Sequence, residues 1–178
     1  MRRRLFALLV VALISGIVAG TVANAKGRLN TIAARIPPLP ALREIANVCP
    51  VPAAYRPAFV AAASDTGLPL AMLVAVGQVE SNLRADARSS ADARGLLQVM
   101  PATAAALRLD ADRPDSNVLA GARYLQQLLE RFHSTDLALA AYNAGPTAVA
   151  EAGSAPTRET VEYVANVTAL WRALRGCR

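Results

Sequence analysis

The sequence predicts an all-α domain, and three observations carry that prediction. Hydrophobic residues make up 54% of the chain but aromatic ones only 4%. That balance, rich in Ala, Leu and Val, suits closely packed helices better than a β-sandwich. Apolar residues recur at three- and four-residue spacing in several segments. No segment alternates apolar and polar residues as a half-buried strand does. The expected architecture is about eight short helices with loops around a cleft.

Residues 1–25 read as a secretory signal. Arg2, Arg3 and Arg4 form a basic start, Leu5 to Val22 is apolar, and Ala23-Asn24-Ala25 has the small-x-small pattern of a cleavage site. The apolar run is also about the minimum for a membrane span. An uncleaved N-terminal anchor through residues 5–22 is therefore the competing reading. No Cys follows the cleavage site, which argues against a lipoprotein. Cleavage removes three Arg and no acid, leaving sixteen basic and thirteen acidic residues, a net +3 against +6 for the whole chain. So mild a charge suits an anionic polymer or surface. No basic-aromatic pattern for base stacking is present, so nucleic acid is not expected as a partner. Residues 26–48 form a linker, in which Ile36-Pro37-Pro38-Leu39-Pro40 favours extended backbone.

The domain proper is expected over residues 49–178. Cys49 and Cys177 bracket it, and in an exported protein such a pair implies a disulfide; two unpaired thiols are the alternative. His133 is the only His and the two Cys stand far apart in sequence, so neither a metal site nor a cofactor is expected.

Tyr55 to Asp65 has helical spacing at Phe59, Val60 and Ala63, and Gly67 with Pro69 ends it. Leu70 to Glu80 is a helix with no polar face, which belongs inside a core. Ser81 to Arg94 is polar and aperiodic, a surface loop long enough to be functional. Gly95 to Met100 is a short apolar segment with one Gln. Pro101 starts a short helix to Leu107. After a second loop, Asn117 is expected to cap a helix with a stripe at Val118, Gly121, Leu125, Leu128 and Leu129. Thr135 or Asp136 caps a helix to Tyr142, and Asn143-Ala144-Gly145-Pro146 signals a turn. An Ala-rich helix follows to Ala152. The last helix runs from Thr157 or Arg158 to Leu174, with Val161, Val164, Val167 and Trp171 inward.

Glu80 stands out. It ends the buried helix, where the negative end of the helix dipole and apolar surroundings both disfavour a carboxylate. A carboxyl group that keeps its proton near neutral pH can act as a general acid. The plainer alternative is a Glu that points to water. Similar alternatives stand elsewhere: Gln98 as backbone partner in a turn, Met100 as core, and Ser81 as a structural cap. Tyr124 and Trp171 read as core. Asp86, Asp110 and Asp112 read as solvated loop acids.

The order Glu80-Ser81, Gly95-Leu96-Leu97-Gln98-Val99-Met100-Pro101, Asn117…Gly121-Ala122-Arg123-Tyr124-Leu125, Ala141-Tyr142-Asn143-Ala144-Gly145-Pro146 and Glu159-Thr160…Tyr163-Val164 resembles the soluble lytic transglycosylase (SLT) family. The resemblance covers Tyr55 to Trp171. It implies a lysozyme-like, goose-type fold and cleavage of peptidoglycan glycan strands by a monomer exported to a bacterial periplasm, held at the inner membrane if the anchor is retained. It further implies Glu80 as the sole catalytic acid/base, Ser89 near the N-acetyl region of the reacting sugar, and Gln98 and Met100 lining the sugar site. Tyr142, Asn143, Glu159 and Tyr163 match the remaining motifs. Two positions depart from the pattern: Leu97 replaces a usual Met, and Asp92 replaces a common Gly beside the site. Asp tolerates positive φ better than most residues, yet its charge is the one expected to disturb Glu80.

Hydrolysis by paired carboxylates needs two acids across the bond. The motif segments contain no second acid besides Glu159, to which the resemblance gives a supporting role. A single acid fits a transglycosylase that makes a 1,6-anhydro sugar. A lysozyme-type hydrolase on the same fold and a non-catalytic glycan-binding module of an envelope machine are the alternatives.

Overall fold

A computed structural model describes residues 47–178. The signal or anchor and the linker up to residue 46 lie outside the described residues. Within them the chain forms seven helices: α1 (Arg56–Thr66), α2 (Leu70–Ser81), α3 (Pro101–Ala106), α4 (Pro114–Phe132), α5 (Thr135–Ala144), α6 (Pro146–Ala152) and α7 (Arg158–Ala173). The all-α expectation holds, with seven helices among the described residues. The only ladder pairing among the described residues is two isolated bridges, Arg88 with Arg94 and Arg94 with Val99.

The helix α2 is the centre of the core. Ala71 to Gly77 are all buried, as its lack of a polar face requires. α1 packs on α4 and α2, α7 lies on α2 and α5, and α5 joins α4 to α6 and α7. Four helices end on a left-handed residue that turns its N–H back onto the last turn: Gly67, Asn82, His133 and Gly153. Proline opens α3, α4 and α6, where its missing N–H has no helical partner to lose.

Several boundaries differ from the sequence reading, each for a local reason. α4 starts at Pro114, so Asn117 is not its cap; it is fully buried inside the first turn. Ser134, not Thr135 or Asp136, caps α5 by accepting from Leu137 N. α5 continues through Asn143 and Ala144 to Gly145, which takes the break at φ 87°. Thr157 caps α7 by accepting from Thr160 N. That phase turns Thr160, Tyr163 and Val167 inward and leaves Val161 53% exposed.

The two ends of the domain meet. Cys49 and Cys177 are joined by a disulfide, with their Cα atoms 4.7 Å apart. Arg178 N donates to Asn47 O at 2.7 Å, and the Arg56 guanidinium donates to Cys49 O at 2.7 Å.

Candidate active site

Glu80 sits in the last turn of α2, half-buried. Tyr163, from α7, donates its hydroxyl to Glu80 Oε1 at 2.7 Å. Burial pushes the Glu80 carboxyl up to about 7, and the Tyr163 hydrogen bond pulls in the opposite direction. Neither cause is a charged neighbour, so among the described residues no carboxylate acts on Glu80. Burial, and next the Glu80 carboxylate, hold the Tyr163 hydroxyl well above the usual tyrosine range. It therefore stays a donor at any pH where Glu80 titrates.

The segment Gly95–Met100 forms one wall beside Glu80, and Leu97 is its anchor. Leu97 is fully buried between two glycines of the core helices. A Cβ on Gly77 would lie 3.1 Å from Leu97 Cδ2, and one on Gly121 would lie 2.6 Å from Leu97 Cδ1. At Gly121 no Cβ fits without a shift of Leu97, and at Gly77 a Cβ would force its neighbours to give by a few tenths of an ångström. The backbone of Leu97 is clamped as well. Its N–H donates to Asn117 Oδ1 at 2.9 Å, and its carbonyl accepts from the Tyr142 hydroxyl at 2.8 Å. Asn117 Nδ2 also donates to Arg94 O at 2.7 Å and Ala111 O at 2.9 Å. One buried amide thus ties two loops to α4 through three backbone groups. Ser81 adds a fourth tie, donating its hydroxyl to Leu96 O at 2.8 Å. It is buried and structural, as its position at the helix end suggested.

The remaining site candidates fall into two groups. Gln98 is half-buried at φ 43° and spends both amide N–H groups on Ala87 O and Gly95 O. Its amide oxygen is left as its free polar atom among the described residues. Met100 is 41% exposed just before α3, so it is no core residue. Ser89 and Asn143 are exposed, and Ser89 Oγ accepts from Ala93 N at 3.0 Å in a tight turn. Glu159 is exposed in the first turn of α7, four residues before Tyr163. Tyr142 stands apart from these, because its hydroxyl is engaged by Leu97 O and lies against Gly121. Its ring packs on Tyr124 at 5.4 Å. No hydrogen bond joins Glu80 to Ser89, Gln98, Asn143 or Glu159.

Asp86, Asp110 and Asp112 are exposed, as their sequence context suggested, and some of the loop acids are also paired. Asp112 pairs with both Arg88 and Arg94, and Asp92 pairs with Arg94 at 2.9 Å and Arg88 at 3.6 Å. Asp92 adopts φ 67°, the left-handed backbone that a Gly would occupy freely. Its charge is absorbed by the two arginines, and Asp92 is not among the causes of the Glu80 shift. Asn117 and the glycine pair are what sequence reasoning missed. The signal was present: a glycine inside an apolar helix costs about 1 kcal/mol against alanine, so it calls for a packing reason.

The fold and the lone, desolvated acid define a lysozyme-like, all-α domain. The chain belongs to the transglycosylase SLT domain family, whose family model matches residues 57–163. It is 31% identical over 144 residues to a putative soluble lytic murein transglycosylase of Haemophilus influenzae, covering 67% of this chain and 24% of that protein. To a membrane-bound lytic murein transglycosylase F of Alkalilimnicola ehrlichii it is 37% identical over 102 residues, covering 51% of this chain and 20% of that protein. Among solved structures, an inactive Glu-to-Gln mutant of lytic transglycosylase Slt from Pseudomonas aeruginosa matches with TM-score 0.61 and 31% identity, over 71% of this chain and 25% of that one. A complex of the 70 kDa soluble lytic transglycosylase with bulgecin A matches with TM-score 0.60 and 28% identity, over 70% and 24%. The chain spans between a fifth and a quarter of the length of these relatives.

Proposed function

We propose that this chain is a peptidoglycan lytic transglycosylase in which Glu80 is the single acid and base. The observation that carries this reading is Glu80 itself: a carboxyl held near pH 7 by burial, with a tyrosine as its only hydrogen-bond partner and no second acid beside it among the described residues. A carboxyl poised there is half protonated near neutral pH, as one group that must serve both roles requires. Glu80 gives its proton to the glycosidic oxygen as the bond from MurNAc C1 to that oxygen breaks. The GlcNAc end leaves with its new hydroxyl. The acetamido oxygen of MurNAc supports the electron-poor C1. The Glu80 carboxylate then takes the proton from the MurNAc 6-hydroxyl, whose oxygen bonds to C1. The product is a 1,6-anhydro end, Glu80 has its proton back, and no water is consumed.

The other residues divide by what their polar atoms are free to do. Ser89, Asn143 and the Gln98 amide oxygen are suited to sugar hydroxyls and N-acetyl groups, and the Met100 thioether to a sugar face. Tyr163 orients Glu80 and steadies its carboxylate. Tyr142 acts through the Leu97 carbonyl, setting the wall that carries Gln98. Glu159 supports the start of α7, where a carboxylate favours the helix N-terminus. The names of the relatives support a murein substrate, and the inactive Glu-to-Gln mutant among the structural neighbours supports an essential Glu in this fold. Activity of this kind places the working protein outside the cytoplasm, where the wall is, in line with the signal-like residues 1–25.

Mass spectrometry of muropeptides released from purified sacculi tests the reading. Anhydro-MurNAc ends are expected from the wild type and none from Glu80→Gln, whose melting curve should show an intact fold. Reducing ends would instead identify a lysozyme-type hydrolase, and wall binding without any release would identify a glycan-binding module.

A further inference from the structure

The charge of this chain is unevenly placed. Residues 1–46 contain seven Lys or Arg and one acid, while residues 47–178 contain twelve of each. Within the domain the C-terminal end is rich in cations and free of acids. From Tyr163 to Arg178 there are three Arg and no acid. Arg172, Arg175 and Arg178 are exposed, and none forms an ion pair among the described residues. The helix dipole accounts for a cation in the last turn of α7, which is Arg172. Arg175 and Arg178 lie beyond the helix, so it does not account for them.

This same end is where the chain enters the domain. The Cys49–Cys177 disulfide and the Arg178 N to Asn47 O bond hold the entry point against the C-terminal arginines. Arg56 adds a fourth cation there, donating to Cys49 O and Arg178 O. The residues leading to that point carry Lys26, Arg28, Arg35 and Arg43, after an apolar run long enough for a membrane span.

We propose that the disulfide-closed end of the domain, bearing Arg172, Arg175 and Arg178, docks on an anionic lipid surface. The partner chemistry is that of phosphate headgroups, which attract clustered basic residues within a Debye length. Arg172 is nine positions beyond Tyr163, about 14 Å along α7, so the basic end and the Glu80 contact occupy different parts of that helix. The inference is independent of the reaction assigned to Glu80.

Trp171, the only Trp of the chain, stands next to Arg172 and reports on this end. The full-length protein is mixed with vesicles carrying a headgroup nitroxide lipid, made of phosphatidylcholine alone or with phosphatidylglycerol added. Strong quenching of Trp171 is expected on the anionic vesicles and little on the neutral ones. The triple variant R172Q/R175Q/R178Q should remain folded, since Arg178 bonds to Asn47 and Cys49 through its backbone. Each basic side chain near such a surface is worth about 1 kcal/mol, so the docking equilibrium should weaken on the order of 100-fold. The proposal is overturned by equal quenching of variant and wild type. Vesicle-bound protein with unquenched Trp171 would also overturn it, since residues 1–46 would then be the sole tether. So would a variant that loses binding to purified sacculi while its vesicle quenching is unchanged, which would make the wall the partner.

Discussion

Glu80 is held between two opposing effects, and the balance sets both its chemistry and its cost. Burial favours the neutral acid, while Tyr163 favours the anion; burial wins, and the carboxyl rises from 4.5 to about 7. Below about pH 4.5 the group is protonated in both the folded and unfolded chain, and nothing is lost. Between 4.5 and 7 the unfolded chain releases its proton first, so stability falls as pH rises. Above pH 7 the full cost applies, about 3 kcal/mol. Glu80→Gln should therefore stabilise the domain at pH 8 by up to ~3 kcal/mol and change it little at pH 4. Urea titrations at the two pH values measure this. An equal gain at both would mean that desolvation of the carboxylate is not the cause. The acid was legible in the sequence because a buried helix ended on it. Its partner was not, because Tyr142 and Tyr163 both had the right chemistry. The packing of α7 on α2 brings Tyr163 to Glu80, while Tyr142 reaches Leu97. The concern over Asp92 falls away for a local reason: Arg88 and Arg94, four and two residues from it in the same loop, pair with its carboxylate.

At the scale of elements, the wall from Gly95 to Met100 is built by contacts that no local pattern encodes. Leu97 fills the space left by Gly77 and Gly121 on two different helices. Asn117 satisfies one backbone N–H and two carbonyls around it. Truncating Asn117 to Ala leaves those buried groups without partners, at a cost of about 2–4 kcal/mol. The same change should lower turnover more than tenfold, since Gln98 and Met100 ride on this wall. The pH at which activity is half-maximal should stay in place, because Glu80 and Tyr163 are untouched. Kinetics across pH with a parallel melt check this, and a shifted pH profile would show that the wall also sets the Glu80 environment. The sequence placed Asn117 at the helix start by a sound rule, since Asn is a preferred N-cap. Pro114 opened the helix three residues earlier and carried the amide inside.

For the whole molecule, the disulfide joins residues 128 apart in sequence. It bonds α7, which holds Tyr163 over Glu80, to the segment that enters α1. On the chain-entropy account, removing it should cost about 5 kcal/mol. Cys49→Ser with Cys177→Ser should lower the denaturant midpoint accordingly. Reducing agent should have the same effect on the wild type and none on the variant. The variant should retain activity in mild conditions, because the disulfide lies at the far end of α7 from the Glu80 contact. A midpoint unaffected by reduction would show that the termini hold together without the bond.

Composition and periodicity alone determined the all-α class, the buried helix and the acid at its end, and the ordered motifs pointed to the family. These are properties of single segments, readable from spacing and residue type. The tertiary structure decided which tyrosine meets Glu80, which glycines receive Leu97 and where Asn117 points. It also brought the C-terminal arginines to the point where the chain enters the domain. Each of these rests on a contact between residues 20 to 128 positions apart, and a one-dimensional pattern holds no distance between them.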